Sequence, residues 1–239
     1  MQKPLKQNTT PSETDFLQAD GDQASTIYEL IRSDILKGQL TANERLKVAE
    51  LAKRYGTSTN PVREALQQLR GEGFVVFLPN RGARVRPIDE DYVRDIYEIA
   101  ALIEPHLIRW FIDVVSVEEI AEIEDIQRQM EEHNFRDYGV HSNLDTRFHS
   151  LMYERHYNRH AVDTWRRHRQ ILGSINVGTG LPFSLTRRAK IMEEHRALIE
   201  AIKNHRVDDA AKIIATHVTG SGEHIVDNMR SLRRQERGY

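Results

Sequence analysis

Along most of this chain apolar residues recur at intervals of three and four, the spacing of helices that each hide one face. Residues 1–23 are the exception: they are polar, contain Pro4 and Pro11 and hold no period, which predicts a flexible tail. A helix is then expected from about Ser25, with Ile27, Leu30, Ile31, Ile35 and Leu36 on one face and Gly38 as its stop. Val48 to Tyr55 predicts a second, with Val48, Leu51 and Ala52 inward and Gly56 closing it in a left-handed conformation. In "TSTNPVREALQQLRGEG" a third is announced, with Asn60 as cap and Pro61 at the first helical position. Val62, Ala65, Leu66 and Leu69 form its apolar side, and Gly71 and Gly73 end it. The period then turns strand-like, giving a strand at Phe74–Leu78, a turn at Pro79–Gly82 and a strand at Ala83–Arg86. Three helices and a hairpin, with helices two and three joined by about four residues, make a winged helix-turn-helix at 24–88.

From Asp89 onward the period is helical, and residues 89–239 are expected to form an all-α antiparallel bundle. Its first helix, about Asp89 to Phe111, turns Val93, Ile96, Tyr97, Ala100, Leu107 and Ile108 inward, and Pro105 is expected to kink or divide it. "SVEE" at Ser116–Glu119 is a capping box opening a helix whose apolar members are Val117, Ile120, Ile123 and Met130. Further helices are expected over about Ser142–Arg155, Asn158–Val177, Leu185–Asn204 and Val207–Met229, with "GTGLPFS" as a loop.

Composition narrows the chemistry. With no cysteine, disulfides, thiolate metal ligands and thiol catalysis are all excluded. The chain contains no apolar run long enough to span a membrane, and its first residues lack the form of a secretion signal, so the cytoplasm is the expected setting. The net charge of -2 conceals an asymmetry. Residues 24–88 carry 11 Lys and Arg against 6 Asp and Glu, whereas residues from Asp89 on carry 21 against 26. A basic head on an acidic rear suggests two domains with different partners, one of them a polyanion.

The third helix bears the chemistry for that partner. Its exposed N-terminal half carries Asn60, Arg63, Glu64 and Gln67, and Thr57, Ser58 and Thr59 precede them with hydroxyls suited to phosphate oxygens. Arg63 suits guanine in a major groove, and Gln67 suits adenine or a phosphate. In "NRGARVR" the residues Asn80, Arg81, Gly82 and Arg84 would lie along the DNA backbone or in the minor groove, with Gly82 supplying the turn. In the rear half, Asp145 and His149 are four apart on one helix, and His195 and His217 sit on the last two helices beside apolar positions. Three imidazoles and a carboxylate suit zinc, nickel or manganese. Glu194 adjoins one of them, but the helical step is expected to turn it away, leaving no companion acid or base.

The "PVREAL", "LRGEG" and "PNRGARV" pieces resemble, in the same order, the winged helix-turn-helix of GntR-type bacterial regulators, and the helical remainder resembles the FCD domain of their FadR-type branch. The likeness runs from about Ala24 to Val226. It implies a ligand-responsive transcription regulator, read as a repressor, acting as a homodimer on a near-palindromic operator. It also implies that Asp145, His149, His195 and His217 match the FCD metal pattern, and that a small carboxylate effector fills the metal's open positions.

Two positions depart from the family. Thr59 and Asn60 stand where "RT" is usual, which removes a cationic phosphate contact and implies a changed operator preference or weaker, less salt-sensitive anchoring. Ala100 replaces the arginine of "YE.R..LE", so the effector is expected to be smaller, differently placed or less charged, with Arg169 as a fallback anchor whose simpler role is packing. Two other classes compete: a metal-dependent hydrolase using the same Asp/His group, and a constitutive DNA-binding protein whose helical half serves only structure.

Overall fold

The computed structural model describes residues 26–179 and 183–236, so the expected N-terminal tail and part of the "GTGLPFS" loop lie outside the described residues. The chain divides into two compact units between Pro87 and Ile88.

In the first unit α1 spans residues 26–36, with Ile27 and Ile31 buried and Leu30 left 42% exposed, so the apolar face is narrower than its spacing suggests. Helix α2 (Val48–Arg54) buries Leu51 and Ala52 and is followed by Gly56 at φ 64°. Helix α3 runs over Thr59–Gly71 and buries Val62, Ala65, Leu66 and Leu69 as its spacing predicts. It starts earlier than expected. Ser58 is the capping residue, Asn60 lies within the first turn, and Pro61 is buried there, because the amides of a first turn have no helical partner for a proline to remove.

Three strands form the sheet, in the order β1-β3-β2. Strand β1 (Arg45–Leu46) escapes sequence reading because two residues cannot show an alternation. Strands β2 (Val75–Leu78) and β3 (Gly82–Val85) make the antiparallel wing, with Leu78 opposite Gly82. Gly82 is therefore the first residue of β3 rather than part of the turn, which is Pro79–Arg81. Both Asn80 (φ 59°) and Gly82 (φ 73°) take the left-handed backbone that reverses the chain, and these two residue types adopt it most cheaply.

The second unit is helical throughout its described residues. Helix α4 (Glu90–Val114) opens on Asp89, whose side chain accepts from the Tyr92 amide, and it continues undivided through Pro105. Burial of Ile96, Ala100, Leu107, Ile108 and Phe111 on both sides of Pro105 offsets the one hydrogen bond a proline forgoes. Helix α5 (Val117–His133) carries the expected capping box, but Val117 is 78% exposed: at the first helical position it precedes the buried stripe of Ile123, Ile126 and Met130. Helix α6 (Tyr138–Tyr153) begins four residues before the expected Ser142, capped by Asp137. Helices α7 (Arg159–Thr179), α8 (Leu185–Lys203) and α9 (Val207–Glu236) complete the bundle.

Helix α4 packs along α9 and also touches α6 and α7, while α5 packs on α6 and α8, and α8 on α9. This arrangement surrounds a core of Phe111, Phe148, Tyr153 and Trp165 with α6, α8 and α9 converging beside it. The α4–α9 approach depends on Gly222, where a Cβ would stand 2.6 Å from the Tyr97 ring. Gly222→Ala gains about 1 kcal/mol of helix propensity but forces an overpacked contact costing about 1–3 kcal/mol. The expected result is net destabilisation, read as a lower urea midpoint at unchanged m-value.

Candidate metal centre and nucleic-acid interface

One helical turn separates Asp145 from His149 on α6, so both face the same way. Helix α8 brings His195 and α9 brings His217 to the same point, and one donor atom from each of the four lies within 4.8 Å of the others. Asp145 Oδ1 is 3.6 Å from His195 Nε2 and 3.9 Å from His149 Nε2. Donors about 2.1 Å from a shared ion stand roughly 3–4 Å apart, so these separations fit a coordination shell. All three imidazoles are buried.

What surrounds the imidazoles assigns their two nitrogens. His195 Nδ1 is 3.1 Å from Gln127 Oε1, and His217 Nδ1 is 3.0 Å from Glu194 Oε2. His149 Nδ1 faces Glu104 Oε2 at 3.6 Å. His195 thus turns Nδ1 outward to an oxygen and Nε2 inward toward Asp145, the orientation that metal-binding histidines adopt, and His149 likewise directs Nε2 at Asp145 while its Nδ1 makes no hydrogen bond. His149 Nε2 and His195 Nε2 are buried with no hydrogen-bond partner, an arrangement that is costly unless something fills the centre. Burial pushes the pKa of His149 and His195 well below the usual imidazole range, with neighbouring histidines adding to it. Burial also lowers His217, though the Glu194 carboxylate opposes it. Neutral rings carry the free lone pairs that metal coordination needs. The residues present therefore fit a divalent cation.

Glu194 corrects one expectation. It does not turn away: it is buried, reaches His217, and is held by Arg187, whose two terminal nitrogens lie 3.2 Å from its oxygens. Burial disfavours its charge, but the His217 bond and the Arg187 cation outweigh that and lower its pKa. Arg187 also donates to the His217 carbonyl and to Ser221 Oγ, both at 2.8 Å. Glu104, whose pKa burial raises to about 7, accepts from the Tyr153 hydroxyl at 3.1 Å. The signal for these missed residues was present in the sequence. Glu104 and Gln127 are polar residues standing on otherwise apolar stripes, between Ala100 and Leu107 and between Ile123 and Met130.

Arg169 pairs with Asp145 Oδ2, leaving Oδ1 for the imidazoles, so it fixes the carboxylate's direction. Asp145, Arg169 and His217 line a cavity of about 50 Å³ shared with Tyr97, Ala100 and His141. Ala100 thus sits in the cavity wall.

In the first unit, Ser58, Thr59, Asn60, Arg63 and Gln67 are exposed on the free side of α3, and Thr57 is half-buried. Asn80, Arg81 and Gly82 are exposed at the wing tip. Arg84 is farther from the tip than the sequence suggests: it sits mid-strand and donates to the Asn43 carbonyl at 2.6 Å, which ties β3 to the loop before β1. No helix among the described residues is long and apolar enough to cross a membrane.

A winged helix-turn-helix followed along the chain by a helical unit with a buried histidine–carboxylate centre defines a class of DNA-binding regulators. Comparison with known proteins specifies it. Residues 23–85 match the bacterial regulatory proteins of the gntR family, and residues 95–220 match the FCD domain. The chain belongs to the GntR family, in the FadR-type branch with an FCD domain, and is a DNA-binding transcriptional regulator. It is 26% identical over 204 residues to the HTH-type transcriptional regulator YdhC of Bacillus subtilis, covering 83% of this chain and 88% of that one. It is 23% identical over 196 residues to the galactonate operon transcriptional repressor of Escherichia coli, covering 72% and 83%. The structure of E. coli McbR/YncC shares the fold, with a TM-score of 0.67 at 16% identity over 86% of this chain and 98% of that one. These relatives are regulators rather than enzymes.

Proposed function

We propose that this regulator is an effector-gated repressor whose FCD unit holds a divalent metal ion (zinc, nickel or manganese) through Asp145, His149, His195 and His217. The observation that carries the reading is the convergence of the four donors: Nδ1 of His195 and of His217 is held by Gln127 and Glu194, and the Nε2 atoms of His149 and His195 are buried, unpartnered and within 3.9 Å of Asp145 Oδ1. Bound there, a divalent cation supplies a Lewis-acidic centre with positions left for the oxygens of an anion.

A count of charge supports a carboxylate effector. Asp145 is offset by Arg169 and Glu194 by Arg187, and Glu104, the remaining carboxyl of the wall, adds at most one negative charge, so a bound dication leaves at least one surplus positive charge. An anion compensates it. The cavity is small, about 50 Å³, which favours a small anion.

In the head, Arg63 and Gln67 would read base edges, and Thr57, Ser58, Thr59 and Asn60 would fix the helix entrance on phosphates. Asn80, Arg81 and Gly82 would follow the backbone at the wing, with Arg84 in support. A homodimer would set two such heads about one turn apart on an operator. Within the second unit, helix α9 lines the cavity with His217 and Ser221, and its Arg230 and Arg233 each lie 3.0 Å from Glu90, in the first turn of α4.

Metal-free protein titrated with zinc is expected to bind about one ion per chain, and small carboxylates are then expected to change operator affinity only in the loaded form. A coupling of about 1–3 kcal/mol, 5- to 150-fold in affinity, is the usual range. Calorimetry and anisotropy titrations against a selected operator measure both steps. Operator affinity indifferent to metal and to carboxylates would favour a constitutive binder.

A further inference from the structure

Among the described residues, Arg187 is the only arginine or lysine that is buried, at 8% exposure. Long cationic side chains are rarely hidden unless they are paired, and this one has partners on two helices. It stands in the first turn of α8, where its amide donates to the Ser184 hydroxyl at 3.2 Å. Its guanidinium reaches Glu194 on α8 and, on α9, the His217 carbonyl and the Ser221 hydroxyl. The seat on α9 is a missing side chain: a Cβ at Gly220 would stand 3.1 Å from Nη1 and 3.4 Å from Cζ. His217 is thereby held at both ends. Its carbonyl accepts from Nη2 at 2.8 Å, and its Nδ1 lies 3.0 Å from the carboxylate that Arg187 pairs with.

We propose that Arg187 is a positioning residue of the candidate metal centre: acting through Glu194, it fixes the His217 ring with its hydrogen on Nδ1 and its lone pair on Nε2. The proposal rests on the metal reading above and adds to it the group that sets the tautomer and direction of one donor. Three observations converge on it.

First, a carboxylate paired with a guanidinium has no hydrogen to give, so the hydrogen between Glu194 and His217 belongs to Nδ1. A neutral imidazole carries one N–H, which leaves Nε2 bare. Second, a carboxylate is free to turn about its last bond unless both oxygens are held. Nη1 and Nη2 each lie 3.2 Å from one oxygen of Glu194, and a fork of this kind fixes the carboxylate plane. Because Nη2 is also bonded to the backbone of α9, that plane is set relative to the helix that carries the ring. Third, the other oriented ring needs no cation. His195 Nδ1 meets the amide oxygen of Gln127, whose nitrogen donates to Glu131 at 2.7 Å. Only His217 is steered by a buried carboxylate, and such a group needs a counter-charge beside it.

The test uses the full chain and two readings: nitrogen NMR of the histidine rings in metal-free protein, and zinc affinity by competition with a chelator. In the wild type the His217 ring, assigned by its absence from His217→Ala, is expected to carry hydrogen on Nδ1 alone. In Arg187→Met the same ring is expected to populate both tautomers, while His195 is unchanged. Zinc affinity is expected to fall about 10–100-fold in that variant. Arg187→Lys pairs with Glu194 without the fork and is expected to recover part of the loss. Placed in a Glu194→Gln chain, Arg187→Met is expected to cost no more than about twofold further, since its path to the ring is already cut. Gly220→Ala keeps every charge and crowds the guanidinium. It is expected to weaken zinc in the same direction by less, and serves should the methionine variant misfold. Hydrogen on Nε2 of His217 in the wild type, an unchanged tautomer or zinc affinity in a folded Arg187→Met, or an equal loss with and without Glu194 would each overturn the assignment. A wild type that binds no zinc would instead overturn the metal reading beneath it, and the tautomer of His217 would still decide what Arg187 does to the ring.

Discussion

Combining His195→Ala with His217→Ala is expected to leave a folded protein that retains no stoichiometric metal. The two substitutions remove the donors from α8 and α9, and Asp145 and His149, both on α6, remain. Loss of a single outer partner of a metal-bound histidine already costs about 10–100-fold in affinity, so removal of two ligands costs on the order of 10³-fold or more. Elemental analysis after dialysis reads the outcome directly, and a full equivalent of metal in the double variant would place the site elsewhere. Thermal unfolding gives a second reading. A ligand at 100 times its Kd stabilises the native state by about 2.7 kcal/mol, and the double variant is expected to show no metal-dependent rise in Tm. Glu194→Gln falls between these cases. Its amide still meets His217 but no longer carries the charge that pairs with Arg187, and the expected cost is one step of about 10–100-fold.

The sequence disclosed elements and candidate donors better than it disclosed the groups around them. Apolar spacing identified α3 and its buried face because Val62, Ala65, Leu66 and Leu69 leave no other helical face to hide. Their caps were less legible: Ser58 and Asn60 are both good capping residues, and only the backbone conformation distinguishes them. The four residues that converge at the candidate centre stand out by a local spacing joined to two distant histidines, and the family resemblance supplies that join. Glu104, Gln127 and Arg187 went unread because their partners lie 45, 68 and 7 positions away on separate turns or helices, and a one-dimensional period carries no such information. Glu194 shows the limit most clearly. Adjacent helical residues point about 100° apart, which suggested that it faces away from the centre; α8 is buried on several sides, so His195 and Glu194 both face inward and meet His217 from different directions.

In the head, Arg63→Ala is expected to weaken operator binding by about 1–3 kcal/mol, a loss of roughly 5- to 150-fold, and to relax sequence choice at the base it reads. Asn60, Arg63 and Gln67 follow one another at intervals of three and four along α3, and all are exposed on the side opposite its buried residues. Arg63 makes no hydrogen bond or ion pair among the described residues, so its five donors are available to a base edge. Alanine preserves helix propensity, and the side chain removed is exposed, so a loss of binding will not reflect unfolding. An operator selected from a random duplex pool, titrated by anisotropy beside a scrambled duplex, separates the two components. Loss on the operator with little change on the scrambled duplex marks base reading, equal loss on both marks a phosphate contact, and unchanged affinity on both removes Arg63 from the interface. Thr59→Arg supplies the opposite control. It adds a cation at the helix entrance and is expected to raise affinity on both duplexes while steepening the salt dependence by about 0.9 in the log–log slope.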